Sequence, residues 1–175
     1  MPKDTSPILS RRGFFATSGA AALTLAAPAR AESHGDTFQF EIVRTEKEWR
    51  EQLSGIEYGI LREGRTEPPK SSPLWEETRP GAYHCKGCDL HSYDGIWKIV
   101  LDKGWVFFEH AVPNAVLFGI DGPVPEYGGM AGGPGTVPEV HCRRCGSHLG
   151  HHVFLSRKIL HCINGYALDF KPAEA

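Results

Sequence analysis

Two short segments before residue 64 combine a polar start with apolar residues at helical spacing. Thr45 is followed three residues later by Glu48, and Ser54 is followed three residues later by Glu57. In such a capping box the Ser or Thr side chain and the Glu side chain each accept a hydrogen bond from an amide at the helix start. With Trp49 and similar apolar residues in the following turns, the pattern predicts two short helices.

The periodicity changes after Gly81, where short β-branched and aromatic runs alternate with turn residues. We predict strands at 82–84, 96–101, 106–110, 115–120, 139–141, 153–155, 159–163 and 166–170. The Pro-rich stretch 64–80 is predicted to wrap the core as coil, and the Gly/Pro-rich stretch 121–136 to form a long loop. The expected fold class is mainly β and antiparallel, with helices only at the N-terminal end.

The first 31 residues have the pattern of an export signal. Ser10-Arg11-Arg12-Gly13-Phe14-Phe15 is a twin-arginine motif, and an apolar run leads to Ala29-Arg30-Ala31, a typical cleavage sequence. A retained membrane tether is the alternative, but the run is shorter than the roughly 20 residues that span a bilayer. We therefore expect a twin-arginine signal at 1–31, a flexible lead at 32–44, a single folded domain at 45–173 and a periplasmic location.

Removal of that segment makes the chain more acidic. The 175-residue chain has 19 basic and 21 acidic residues. Loss of residues 1–31 removes four basic residues and one acidic residue, which leaves 15 and 20, a net charge of about −5. An acidic domain with no Lys/Arg cluster is a poor ligand for nucleic acid or anionic lipid, so we expect neither partner after cleavage.

Four of the five cysteines form two C-x-x-C pairs, and this spacing is typical of a tetrathiolate metal site. The predicted ligands are Cys85, Cys88, Cys142 and Cys145. A disulfide in each pair is the alternative in an oxidising compartment, but C-x-x-C disulfides are strained and usually redox-active. We predict one structural Zn²⁺; iron is also compatible with four thiolates.

The fifth cysteine, Cys162, lies outside both pairs and is a candidate nucleophile. His148, His151 and His152 precede it by roughly ten residues, and a hairpin between them would bring imidazoles beside the thiol. An imidazolium there lowers a thiol pKa, and an imidazole relays protons. Any one of these histidines, taken alone, is more often a surface or hydrogen-bonded core residue.

Trp105 lies in the apolar run Gly104-Trp105-Val106-Phe107-Phe108. Ordinary packing in a β core is the default interpretation of such an aromatic residue. The functional interpretation is the wall of a pocket for a sulfur-bearing group, because sulfur packs well against aromatic rings.

Taken together, these motifs resemble the type B methionine-R-sulfoxide reductases over nearly all of the chain that follows the signal. The most specific match is C-x-x-C-G-x-H-L-G-H followed by C-I-N. The matching segments are 45–53, 58–64, 83–88, 104–105, 139–151, 162–164 and 167–170.

The resemblance implies two small antiparallel sheets in a β-tent-like arrangement, with a zinc site away from the active site. It implies that the Cys162 thiolate attacks the sulfoxide and becomes a sulfenic acid, that His148 and His151 supply protons, that Asn164 supports the pocket and that Trp105 receives the methyl group. The expected substrate is methionine R-sulfoxide, free or in proteins. The chain has no sixth cysteine, so an external thiol or thioredoxin-like dithiol is the expected reductant. We expect a monomer.

The chain also departs from the family pattern. Val106-Phe107 replaces the usual Pro-Ser, Leu160-His161 replaces the usual Arg-Tyr, and His152 is an extra residue. We expect His161 to substitute in part for the missing cation. Two other functions are weighed beside the reductase: a catalytically weakened zinc β-domain that binds a ligand or partner, and a redox sensor in which Cys162 oxidation is the signal.

Overall fold

A computed structural model describes residues 38–120 and 137–174. Its two helices are α1 (Glu46–Gln52) and α2 (Gly55–Glu63). Its nine strands are β1 (Gly81–Cys85), β2 (His91–Asp94), β3 (Lys98–Ile99), β4 (Val106–Phe108), β5 (Val116–Ile120), β6 (Pro138–Cys142), β7 (His148–Leu155), β8 (Lys158–Ile163) and β9 (Leu168–Pro172). In this part of the chain no helix has the length and apolar character needed to cross a membrane.

Both predicted capping boxes are present. The Glu48 side chain accepts a hydrogen bond from the Thr45 amide at 2.7 Å, and the Glu57 side chain accepts one from the Ser54 amide at 2.8 Å. The second helix is followed by its C-cap, Gly64, in the left-handed conformation, which a residue without Cβ adopts at low cost. The two helices therefore form where the polar and apolar pattern predicted them.

The strands form two antiparallel sheets. The smaller sheet has the order β2-β1-β9, and the larger has the order β3-β4-β8-β7-β6-β5. The predicted fold class, mainly β with two antiparallel sheets, is confirmed. The pattern missed β2 and started β7 at Val153 instead of His148. Both missed stretches are rich in His, Ser and Gly, whose strand propensity is low, so pairing with neighbouring strands decides their structure.

The hydrophobic core lies on one face of the six-stranded sheet. Val106, Val140 and Ile163 point into it from β4, β6 and β8, and each is fully buried. The smaller sheet contributes Tyr83 and Tyr93, whose rings lie 5.0 and 4.3 Å from the ring of Phe108. Because side chains alternate along a strand, the residues between these positions point to the opposite face of the six-stranded sheet.

The described part of the predicted lead, residues 38–44, contacts the turn that carries the second cysteine pair. The Ile42 amide donates to the Arg144 carbonyl at 3.0 Å. The Phe40 ring lies over Gly146, where an added Cβ would come within 2.7 Å of the Phe40 ring. The predicted signal (1–31), the start of the lead (32–37) and the predicted loop (121–136) lie outside the described residues.

Candidate active site

The hairpin of β7 and β8 brings Cys162 opposite a histidine. Ser156 and Arg157 form its two-residue turn with φ of 53° and 63°, as a type I′ turn requires. The resulting register pairs His151 directly with Cys162 and pairs His152 with His161. His151 therefore shares the face of the thiol, and His152 points to the other face.

Five residues form one row across the face of the six-stranded sheet that points away from the core. They are successive cross-strand partners from β5 to β4: Gly119, Glu139, His151, Cys162 and Phe107. Directly opposed side chains on one face lie about 5 Å apart at Cβ. A thiol, an imidazole and a carboxylate are therefore immediate neighbours.

A β-bulge adds a second histidine to this face. The pairing of β6 with β7 shifts register so that Val140 opposes Gly150 while His141 opposes His148, which leaves Leu149 as the extra residue. Without the bulge, residues three apart such as His148 and His151 would point to opposite faces. Instead, the centroids of these two rings lie 5.2 Å apart.

Glu139 bridges two imidazoles. Its Oε1 accepts from His148 Nδ1, and its Oε2 accepts from His141 Nε2 at 3.0 Å. Burial favours a higher pKa for Glu139, but the hydrogen bonds and charges of His141 and His148 outweigh it and hold the pKa well below its usual range. His148 is only 3% exposed, and among the described residues no group accepts from or donates to its Nε2.

Asn164 and Trp105 are both anchored to the backbone of Glu67. The Glu67 amide donates to Asn164 Oδ1 at 3.0 Å, and Trp105 Nε1 donates to the Glu67 carbonyl at 3.2 Å. Asn164 Nδ2 also donates to the carbonyl of Leu149, the bulge residue, at 3.1 Å. Asn164 therefore supports the bulge that places His148. Trp105 lies just before β4, two residues from Phe107.

The Glu67 carboxylate completes this anchor. It accepts from the amides of Gly165 at 2.7 Å and Tyr166 at 2.9 Å, at the start of a short 3₁₀ turn after β8. Burial raises the pKa of Glu67, although both hydrogen bonds act in the opposite direction. Sequence reasoning missed Glu67, because nothing in a Pro-rich coil marks one carboxylate as buried.

Cys162 is a partly exposed residue, and it has apolar neighbours in sequence and across the strand. Phe107 opposes it on β4, and Leu160 lies two residues before it on the same strand; both are buried. These residues occupy positions where the family resemblance leads one to expect a serine and an arginine. The thiol therefore has imidazoles on the β7 side and hydrocarbon on the β4 side.

His161 does not take the role expected of it. It lies on the core-side face, where its Nδ1 shares a hydrogen bond of 3.1 Å with the Tyr93 hydroxyl and the centroid of its ring lies 4.6 Å from that of His152. Burial, followed by the charges of His152 and His110, lowers the pKa of His161 to about 4. The expectation that His161 replaces the missing cation beside Cys162 is wrong, because adjacent strand residues point to opposite faces.

The buried neutral His161 predicts acid sensitivity of the fold. An unfolded histidine binds a proton below about pH 6.5, whereas the folded one does so only near pH 4. The unfolded state binds more protons in this window, so the free energy of unfolding should fall by up to roughly 3 kcal/mol as the pH drops through it. Urea unfolding at several pH values measures this. A His161→Phe variant with the same pH dependence between 6.5 and 4 would contradict the prediction.

The four predicted metal ligands converge on the core side of the six-stranded sheet. All four sulfurs lie within 4.8 Å of one another. The Cys85–Cys145 and Cys88–Cys142 pairs are separated by 3.8 and 3.5 Å. A tetrahedral ion with metal–sulfur bonds of about 2.3 Å places sulfurs about 3.8 Å apart, so the donor set fits a tetrathiolate ion.

The position of the cluster separates it from Cys162. Cys142 follows Val140 by two residues on β6 and shares its core-facing side, whereas Cys162 belongs to the opposite face. The cluster joins β1 of the small sheet to β6 of the large one. An ion held by these four thiolates would have no open position for substrate.

Two further residues of the site, Glu139 and His141, were not predicted as functional. The sequence did contain a signal for this pair, because a predicted strand over 139–141 places the side chains of Glu139 and His141 on the same face. What the sequence lacked was the register that brings this face beside His151 and His148.

Comparison with known proteins identifies the family. Residues 53–172 match the SelR domain. Peptide methionine sulfoxide reductase MsrB of Leifsonia xyli subsp. xyli is 34% identical over 142 residues, which cover 78% of this chain and 95% of that protein. MsrB of Agrobacterium fabrum is 35% identical over 137 residues, which cover 75% and 94%. Peptide methionine sulfoxide reductase B3 of Arabidopsis thaliana is 31% identical over 140 residues, which cover 77% and 73%.

The chain belongs to the SelR domain family, the type B methionine sulfoxide reductases. The resemblance drawn from the C-x-x-C and C-I-N motifs is confirmed, and so is the enzyme class that it implied.

Proposed function

We propose that this enzyme reduces methionine R-sulfoxide, free or in proteins, with Cys162 as the nucleophile and a sulfenic acid as the intermediate. The observation that carries the proposal is the row on the sheet face opposite the cysteine cluster. There Cys162, a partly exposed residue, lies directly across from His151, with Glu139 and His148 beside it.

In the first step the Cys162 thiolate attacks the sulfoxide sulfur, and the sulfoxide oxygen takes a proton from an imidazolium. His151, the cross-strand partner of Cys162, and His148, whose Nε2 is buried, are the donors that the geometry offers. The hydroxyl oxygen then bonds to the cysteine sulfur as two bonds of the methionine sulfur break, the one to the hydroxyl oxygen and the one to the cysteine sulfur, and the methionine sulfur keeps an electron pair. Methionine leaves, and Cys162 becomes a sulfenic acid, oxidised by two electrons.

In the second step two thiols restore the enzyme. One thiol attacks the Cys162 sulfenic acid and releases water, and a second thiol attacks the mixed disulfide and returns Cys162 to the thiol. The other four cysteines lie together on the opposite face, so both thiols come from an external reductant, a small thiol or a thioredoxin-like dithiol.

The remaining predicted site residues support substrate binding. We assign the substrate methyl group to the Trp105 ring, which its bond to the Glu67 carbonyl holds next to β4. We assign to Asn164 the support of the bulge that places His148. The stereoisomer that we propose to be reduced is R, as the family resemblance implies.

We propose Zn²⁺ as the ion of the cysteine cluster, because four thiolates in tetrahedral spacing suit it. We also propose export by the twin-arginine route after the protein has folded around its metal. The support is the motif at residues 10–15 and the cleavage pattern at 29–31. The enzyme would then act as a monomer in the periplasm and repair oxidised proteins of the cell envelope.

A stereospecific assay tests the proposed reaction. The purified enzyme is incubated with racemic methionine sulfoxide and dithiothreitol, and chiral chromatography follows both isomers. We expect the R isomer to disappear, with one methionine formed for each R-sulfoxide lost, and the S isomer to remain. Survival of both isomers in the presence of folded, metal-loaded protein would refute the proposal and favour the binding-module alternative.

Two adjacent histidines provide a matched test of the site. His151→Gln should lower kcat by about 100-fold or more, because it removes a proton donor opposite the thiol. His152→Gln, on the other face of the same strand, should leave kcat within about threefold. Steady-state kinetics of both variants measures the contrast. Equal losses, or a larger loss for His152→Gln, would contradict the assignment of faces.

A further inference from the structure

Both oxygens of the Glu139 carboxylate are engaged by imidazoles on the Cys162 face. His148 Nδ1 lies against Oε1, and His141 Nε2 lies 3.0 Å from Oε2. An ionised carboxylate only accepts hydrogen bonds, so each of these ring nitrogens carries a hydrogen. The low pKa of Glu139, in which the two histidines outweigh burial, keeps the carboxylate ionised at neutral pH.

Two imidazoles fix the orientation of this carboxylate from two directions. A side chain with one partner rotates about its last bond, but a second bond to the other oxygen restricts that rotation. Gly119 lies opposite Glu139 on β5, and the His141 ring packs over it, because a Cβ at Gly119 would be in ordinary van der Waals contact with His141 Nε2 at 3.6 Å. The bulge at Leu149 supplies the first partner by turning His148 onto this face.

The hydrogen bond to Glu139 decides which nitrogen of His148 is available for chemistry. With hydrogen on Nδ1, the neutral ring has a lone pair on Nε2, and the protonated ring has a donor there. His148 is 3% exposed, and among the described residues its Nε2 has no hydrogen-bond partner. A buried ring nitrogen without a protein partner, on the face of a candidate nucleophile, indicates a place for a polar atom of a ligand.

We infer that Glu139, itself held by His141, is a positioning residue that fixes the tautomer and orientation of His148, so that His148 Nε2 meets the sulfoxide oxygen. This inference rests on the proposed sulfoxide reduction. Glu139 touches neither the substrate nor the reacting atoms, and it acts only through His148. Its effect is therefore on the chemical step, while the binding of the methionine side chain stays nearly unchanged.

Glu139→Gln tests the inference, because the amide has nearly the shape of the carboxylate but lacks its charge and presents a donor in place of one oxygen. We expect kcat to fall about 10- to 100-fold, with KM within about twofold. Ring ¹⁵N shifts of His148, assigned by difference from His148→Gln, should show hydrogen on Nδ1 in the unaltered protein and a mixture of tautomers in Glu139→Gln.

Two further variants separate positioning from structure. Glu41→Gln removes one exposed carboxylate that is paired with Arg144, and should leave kcat and the His148 signals unchanged. His141→Phe keeps a ring over Gly119 without the hydrogen bond to Glu139, and should lower kcat by less than Glu139→Gln does.

The nuclear magnetic resonance readout does not depend on activity. If Glu139→Gln leaves both kcat and the His148 tautomer unchanged, the inference is overturned while the reductase stands. If the unaltered protein shows hydrogen on Nε2 instead of Nδ1, the inference is overturned whatever the activity. If the unaltered protein holds hydrogen on Nδ1 but reduces no sulfoxide, the reductase proposal fails, and with it the role of His148 Nε2 inferred here.

Discussion

Cys162→Ser is expected to abolish sulfoxide reduction, with a fall in kcat/KM of at least about 10⁴-fold. Serine keeps nearly the size of cysteine, but its hydroxyl is not ionised at neutral pH and does not accept an oxygen atom from the substrate. The substitution lies on a partly exposed position outside the hydrophobic core, so the fold should be preserved. Steady-state assays with dithiothreitol as reductant measure the effect.

Metal content and thermal unfolding are the controls for this variant. Cys162 points away from the face that carries the cysteine cluster, so Cys162→Ser should hold the same amount of metal and melt within a few degrees of the unaltered protein. Residual activity of a few per cent in a folded, metal-loaded Cys162→Ser protein would show that another group carries the reaction.

Cys142→Ser is expected to cause loss of metal and of the fold, both of which Cys162→Ser should preserve. An ion held by the four thiolates would join β1 to β6 across the 53 residues that separate Cys88 from Cys142. By analogy with a covalent cross-link, closing a loop of this length contributes about 4 kcal/mol, and metal coordination adds to it. This contribution is a large part of the free energy of unfolding of a typical domain, which is roughly 5–15 kcal/mol. Elemental analysis together with thermal unfolding measures both losses.

A chelator provides the second arm of this test. Removal of metal from the unaltered protein by a thiol-compatible chelator should reproduce the lowered melting temperature, and added Zn²⁺ should restore it. A metal-free protein that melts at the same temperature as the loaded one would contradict a structural role for the cluster. Together, Cys162→Ser and Cys142→Ser should separate chemistry from stability.

The sequence predicted those parts of the fold that local chemistry determines. The capping boxes at Thr45 and Ser54 start two helices because each satisfies its own first turn. The strands rich in β-branched and aromatic residues form for similarly local reasons. Strand β2 and the first half of β7 do not form for local reasons. Their polar residues are extended only because they pair with β1, β6 and β8.

Prediction of the site was limited by register. The position of Cys162 outside the metal pairs and its closeness to histidines follow from the sequence, since a hairpin joins nearby segments. The choice of His151 over His152 depends on the turn at Ser156, and the placement of His148 depends on the bulge at Leu149. Neither feature has a strong local signal in the sequence. The turn, for example, lacks the usual Gly or Asn.

A single-turnover experiment without reductant tests the central claim, that one sulfur on the outer face of the sheet takes the oxygen of a methionine sulfoxide. Reduced, metal-loaded enzyme is mixed with excess ¹⁸O-labelled methionine R-sulfoxide, and the methionine formed is counted while the intact protein is weighed by mass spectrometry. We predict one methionine per enzyme molecule and one ¹⁸O atom on the peptide that contains Cys162. Methionine formed without label on Cys162, or label on one of the four clustered cysteines, would contradict the account.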